Sequence, residues 1–302
     1  MKNLLIYYGY LNSFNSATNS WNNQRCAEDL VSRDIIVMGE TLADTAHADY
    51  ANTKVIIPEM RRLKPEVLLF GYVKLSQSYA NFKSEVDEWL DNTDFGDDID
   101  GIFVDEAGYD FGTSSTNTRE QFNLKLQYIH SKGAKAFVNA WKLEHIYGSN
   151  SDVSYPDTTW NADKLDSLLG ADDWYLLENH AITAGNYESF TQWYDRGTGV
   201  AGVPFNVAAV SVISDTDSSG QDKSEFSEIS ASMFALQAWG TSDTSYGASS
   251  GKAKLWDRIL PGDIGPAPVK VTADDRAWSY GVGRHAWLDF TSTSEDSALV
   301  IY

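Results

Sequence analysis

Asp100-Gly101-Ile102-Phe103-Val104-Asp105-Glu106 is the stretch on which the fold turns. After the Asp-Gly pair comes a short run of β-prone residues, with no partner run to make a hairpin. Alternation sends Ile102 and Val104 to one side, and Phe103 and Asp105 to the other. Both sides are apolar until the end, as in a parallel strand covered by helices. Ile102 and Val104 are expected to face helices, and Phe103 and Asp105 to point inward. Asp105 then stands at the strand's carboxyl end.

Seven further runs of this kind surround it: Leu4–Tyr10, Asp34–Met38, Glu66–Val73, Lys135–Trp141, Trp174–Glu178, Val200–Val207 and Ala235–Gly240. Helical spacing fills most gaps, at Trp21–Val31, Tyr50–Leu63, Tyr79–Leu90, Arg119–Ser131, Tyr187–Tyr194 and Ser224–Met233. In Arg119–Ser131, Phe122, Leu126 and Ile129 share a face, Thr118 caps the start and Lys132-Gly133 stops the end. Eight strand–helix units predict an α/β fold, a (β/α)8 TIM barrel. No Gly-x-Gly-x-x-Gly follows the first strand, which argues against a dinucleotide fold. Ser149–Thr159, Ser214–Lys223 and Thr241–Lys252 read as polar loops. The barrel is assigned to residues 1–260. Past the turn-rich Pro261–Pro266, β-like pieces at Val269–Thr272, Ala286–Phe290 and Ala298–Tyr302 predict a small β appendage over residues 261–302, packed on the barrel.

The 302-residue chain is 13% aromatic, with ten Trp, and carries a net charge of −20 from 29 Asp and 14 Glu against 23 basic residues. Such a field repels nucleic acid and anionic membranes. It would attract a cationic polymer, and an Asp-coated surface suited to high salt is the competing and favoured account of most of these charges. Cys26 stands alone, so no internal disulfide forms, and His47, His130, His145, His180 and His285 make no zinc-type pair. No metal and no cofactor are expected. No run approaches the roughly 18 apolar residues of a membrane helix, and the apolar start is too short for a signal-peptide core. Extracellular or virion-associated action would need a cleaved signal or release with a virus particle.

Barrel enzymes work at the carboxyl ends of their strands. Asp105, Glu106 and Glu178 are carboxylates at such ends. Tyr8 and Tyr10, Tyr72 and Lys74, Asn139 and Trp141, Asn179 and His180, and Trp239 are the candidate substrate contacts around them. Two carboxyls flanking a glycosidic bond are what sugar hydrolysis needs: one protonates the leaving oxygen, the other attacks or activates water. Apolar residues before Glu178 suggest it as the acid/base, with Asp105 kept ionised near Lys74 as nucleophile or charge stabiliser. Lys74 reads as an ion-pair partner of Asp105 before a Schiff-base lysine, and His180 as a rim or structural residue before a general base. Asp105, Glu106 and Glu178 would also suit a hard-oxygen cation site, the main rival chemistry.

Phe70-Gly71-Tyr72-Val73, the helix through Phe82 and Val86-Asp87-Glu88-Trp89, and the Asp100–Glu106 strand together resemble the spherulin-4-like barrels. They are also similar to glycoside hydrolase family 114, the endo-α-1,4-polygalactosaminidases, as is the Gly133–Asn139 stretch. The likeness runs over roughly residues 1 to 245. It implies an endo-acting hydrolase of an amino-sugar polysaccharide, with the acids after strand four and a Glu on strand six as catalytic groups: Asp105, Glu106 and Glu178. A non-catalytic carbohydrate-binding barrel, such as a virion-borne receptor binder, and a metal-dependent lyase or aldolase remain the competing expectations.

Overall fold

The computed structural model describes residues 1–111, 116–148, 159–213, 218–244, 246, 270–271, 276–281, 284–290 and 297–301. Eight parallel strands close into a barrel: β1 (Lys2–Tyr7), β2 (Ile35–Met38), β3 (Leu68–Lys74), β4 (Gly101–Asp105), β5 (Lys135–Asn139), β6 (Trp174–Glu178), then β9 (Asn206–Val212) and β10 (Ala238–Ser242). A two-stranded hairpin, β7 (Ile182–Thr183) and β8 (Asn186–Tyr187), rises after β6. The helices are α1 (Ser16–Asn19), α2 (Asn23–Leu30), α3 (Tyr50–Leu63), α4 (Tyr79–Leu90), α5 (Arg119–Ser131), α6 (Leu143–Ile146), α7 (Phe190–Gly199) and α8 (Ser218–Met233). The (β/α)8 expectation is met. None of the helices among the described residues is long and apolar enough to cross a membrane.

Alternation sorts the core into two shells. Ile102 and Val104 pack outward with Leu69, Val73 and Val138 against the helices. Phe70, Phe103, Phe137 and Trp174 fill the barrel's axis with Ile6, Val37 and Leu176. Phe137 is central there, with ring centroids 5.3 Å from both Phe70 and Phe103 and 6.0 Å from Trp174. These rings plug the barrel beneath its carboxyl-end mouth.

Local chemistry sets the element ends. Thr118 caps α5 by accepting from the Gln121 amide at 3.2 Å, and Gly133, at φ +75°, ends it. Several boundaries differ from expectation. The seventh barrel strand begins at Asn206 rather than Val200, because Val200 closes α7 and Pro204 cannot donate to a ladder. The fifth expected helix begins at Phe190 rather than Tyr187, because Tyr187 pairs with Ile182 and Ser189 with Gln192 forms a capping box. Residues Ser218–Lys223, read as loop from their polarity, form the first turns of α8. The last barrel strand runs Ala238–Ser242 after a turn at Ala235, φ +53°.

Beyond the barrel, β11 (Lys270–Val271), β12 (Arg276–Gly281), β13 (Arg284–Asp289) and β14 (Ser297–Ile301) form an antiparallel sheet. β12 was not anticipated. Leu288 is fully buried with Trp193 of α7 and Phe226 and Ile229 of α8, and Phe290 packs on the same cluster. The Pro261–Pro266 connector lies outside the described residues, as do most of Ser149–Thr159 and Thr241–Lys252.

Gly71 permits a close helix–strand contact. A Cβ there would meet Trp89 of α4 at 2.1 Å, and the Trp89 indole donates to the Tyr72 carbonyl at 3.2 Å. Gly71→Ala is expected to cost about 1–3 kcal/mol through overpacking. Urea unfolding reads this as a lower midpoint; an unchanged midpoint would mean that the contact is not rigid.

Candidate active site

The inward residues of the strand ends converge at the mouth. One amide joins the two principal acids: the Asn139 Nδ2 group donates to Asp105 Oδ1 and to Glu178 Oε2, each at 2.9 Å. The other oxygen of each acid takes a phenol. Tyr72 donates to Asp105 Oδ2, and Tyr246 to Glu178 Oε1, both at 2.7 Å. Five side chains from β3, β4, β5, β6 and the chain after β10 thus form one continuous hydrogen-bond chain.

Tyr8 lies between the two phenols, its ring 5.3 Å from Tyr72 and 5.4 Å from Tyr246. Its amide donates to the Tyr246 carbonyl at 2.7 Å, which ties the segment after β10 to the end of β1. Burial, reinforced by Asp105 and Glu178, pushes the Tyr8 hydroxyl far above the ordinary tyrosine range. Tyr72 and Tyr246 are raised in the same way, by burial and then by the acid each one faces. All three phenols therefore stay protonated.

Asp105 also shifts upward. Burial is the largest cause, and the nearby Glu178 charge adds to it. Hydrogen bonds from Tyr72, the Glu106 amide and Asn139 act the other way and are outweighed. The upward shift runs against the expectation that Lys74 holds Asp105 ionised. Although Lys74 and Asp105 are register neighbours on adjacent strands, the ammonium pairs with Glu40 at 3.3 Å and is 37% exposed.

The loops after both acids turn sharply. Glu106 has φ +53° and Asn179 φ +57°, conformations that cost non-glycine residues free energy and persist where surroundings enforce them. Glu106 is bonded to the Ser76 hydroxyl, turned toward the end of β3. At Asn179 the enforcing group is Arg196 of α7. Its guanidinium donates to the Glu178 carbonyl and to the Asn179 carbonyl (3.0 Å) and pairs with Glu188. Glu188 in turn accepts from the Ala181 amide at 2.8 Å.

Of the residues expected at the site, Tyr8, Tyr72, Asp105, Asn139 and Glu178 meet there, with Glu106 and Asn179 on the adjoining turns. Three do not. His180 is fully buried behind the mouth, its ring against Ser230 of α8 at 2.8 Å, and burial lowers its pKa to about 3; this removes it from the rim. Trp239 points outward, 3% exposed, with its indole on Ser227 of α8 at 3.1 Å, because β10 places Ala238 inward and its neighbour outward. Tyr10 lies past the end of β1, 47% exposed beside the His47 ring. Trp141 is 59% exposed and lines a cleft next to Glu178. Sequence reasoning missed Tyr246, Arg196, Glu188 and Ser76. A tyrosine within a Ser/Gly/Thr stretch just past a barrel strand was the available signal for Tyr246. Among the described residues no three His, Cys, Asp or Glu side chains group as a metal-ligand set.

Neither a protein-family model nor a curated protein sequence matches the chain. Solved structures align at low identity. The carboxyl transferase domain from Rhizobium etli pyruvate carboxylase gives a TM-score of 0.45 at 10% identity, over 84% of this chain and 42% of that one. The endo-1,4-beta-mannanase from Rhizomucor miehei gives 0.46 at 12%, over 80% and 86%. N-acetylneuraminate lyase from Fusobacterium nucleatum gives 0.38 at 9%, over 81% and 70%. The chain thus spans less than half of the carboxylase structure, and these alignments bring no activity with them.

A raised Asp105 pKa has a consequence for stability. The folded chain binds this proton more tightly than the unfolded chain. The resulting stabilisation is complete below the unfolded value of about 3.9 and is lost as pH rises through the folded pKa. At neutral pH the buried carboxylate is a net cost. Asp105→Asn is expected to raise the melting temperature at pH 7, with the gain shrinking toward pH 3. A variant less stable than the parent at pH 7 would contradict the shift.

Proposed function

We propose that the barrel mouth is the catalytic centre of a glycoside hydrolase that cuts within an amino-sugar polysaccharide. The observation that carries this reading is the shared amide of Asn139. Because one nitrogen lies 2.9 Å from Asp105 Oδ1 and 2.9 Å from Glu178 Oε2, these two oxygens are no more than about 5.8 Å apart. That spacing suits a retaining double displacement, in which carboxyls are roughly 5–5.5 Å apart, better than an inverting one, which leaves roughly 6.5–9.5 Å for water.

The roles follow from the environments and exchange those expected from sequence. Asp105, lifted by burial, is the acid, and Glu178 is the nucleophile. In the first step a Glu178 oxygen bonds to the anomeric carbon as the glycosidic bond breaks, and the Asp105 proton passes to the leaving oxygen. In the second, Asp105 takes a proton from water, whose oxygen bonds to the anomeric carbon and releases Glu178. Tyr72 can rotate its hydroxyl to donate to Asp105 when ionised and to accept when protonated. Tyr246 stays with Glu178, and the aromatic plug below excludes water from that side. The amino-sugar class is supported by the resemblance of the β3–β5 region and by the chain's acidity, which favours a cationic chain.

Reducing-end release on amino-sugar and uronate polymers, with and without chelator, tests the reading. Asp105→Asn and Glu178→Gln should each lower kcat by about 10²–10⁴-fold. Near-normal turnover in either variant removes that residue from the chemistry. Loss of activity with chelator and recovery with Mg²⁺ would favour a metal-dependent lyase, and glycan binding without cleavage a non-catalytic barrel.

The pH dependence provides a separate check. Activity should fall as pH rises through the Asp105 pKa, because the acid form is then lost. Tyr72→Phe removes a hydrogen bond that favours the carboxylate, so the alkaline limb of kcat/KM should move to higher pH. A limb that stays put or moves down would assign the proton elsewhere.

A further inference from the structure

Next to Glu178 a cleft of about 680 Å³ opens on the outer side of the barrel. Tyr175 and Leu177, buried on the outward side of β6, form an apolar floor of the cleft with Leu143. Its volume falls in the roughly 300–1,000 Å³ range of small-ligand sites.

The cleft is placed relative to the chemistry by what it touches. Glu178 and Asn179 border it, whereas Asp105, Asn139 and Tyr72 do not. It therefore begins at the edge of the catalytic mouth and leads away from Asp105. Arg196 lies in its wall, and the carbonyls of Glu178 and Asn179 hold this guanidinium together with Glu188. That wall is fixed to the backbone of the proposed nucleophile.

Trp141 supplies the ligand-facing surface. It follows β5, borders the cleft, and is 59% exposed. A large aromatic face left open beside an apolar floor suits a ligand with a flat apolar face and a polar edge, which describes a pyranose ring. The charged lining is net acidic, with Glu144, Glu178, Glu188 and Asp195 against Lys142 and Arg196. It disfavours phosphate and uronate.

We infer that this cleft is a second sugar subsite, which holds the pyranose unit next along the chain on the Glu178 side of the scissile bond, its C–H face on Trp141. The inference rests on the glycosidase reading and adds to it. A chain lying across the mouth and into the cleft continues beyond the bond that is cut, so cleavage is internal.

The test measures binding apart from turnover. Calorimetric titration of the Asp105→Asn protein uses α-1,4-linked galactosamine oligomers of two, four and six units, free and N-acetylated. Affinity should step up as the oligomer becomes long enough to enter the cleft. Trp141→Ala in the same background should remove about tenfold of that step, the size of one aromatic face contact. Because Trp141 is exposed, its truncation leaves the core intact, and an unchanged melting temperature verifies this. A length step that survives Trp141→Ala overturns the subsite, while cleavage of the same oligomers by the wild-type chain shows that the catalytic reading stands. If the wild-type chain neither binds nor cleaves any of these oligomers, both fail.

Discussion

Asn139 has one amide nitrogen and two acids to serve with it. Each of its N–H bonds is taken by a different carboxylate, from β4 on one side and β6 on the other. The side chain can do this only because it ends the strand between them, with register pairs fixing β4 to β5 and β5 to β6. Barrel closure therefore sets the spacing of the acids, and the spacing sets the chemistry available to them. A slip of one residue in β5 would turn Asn139 to the helices and leave two carboxylates facing each other unscreened.

Electrostatics at the mouth is a contest between burial and hydrogen bonding. Asp105 receives bonds from Tyr72, Asn139 and the Glu106 amide, enough in water to hold a carboxylate ionised, yet desolvation dominates. The Phe70–Phe103–Phe137–Trp174 plug beneath it is one source of that desolvation. The tyrosines Tyr8, Tyr72 and Tyr246 add apolar ring surface around the acids while keeping their hydroxyls protonated. A site built this way spends folding stability on function.

Much of this was legible in the sequence. Period-two alternation placed Phe103 and Asp105 inward and Ile102 and Val104 outward, and the end of each strand named Asn139 and Glu178. Trp239, a candidate contact, faces the helices instead: the last strand begins three residues later than its apolar run, and only neighbouring contacts fix which face a residue takes. His180 was misplaced because the chain folds back into the β7–β8 hairpin after Asn179, a turn that needs positive φ at non-glycine residues and leaves no compositional mark. Tyr246 and Arg196 act across long sequence separations, from a polar segment and from a helix. Nothing local to either announces the carboxylate or carbonyls that it binds.

Burial at the mouth, reinforced by the Glu178 charge, holds Asp105 protonated beyond the ordinary aspartate range against the pull of the Asn139 amide. Carbon-13 NMR titration of the Asp105 carboxyl, in the wild-type chain and in Glu178→Gln, reads this directly. The account predicts a midpoint above about 3.9 in the wild-type chain, moving down when the Glu178 charge is removed. A midpoint at or below the ordinary value, unaffected by Glu178→Gln, would contradict it.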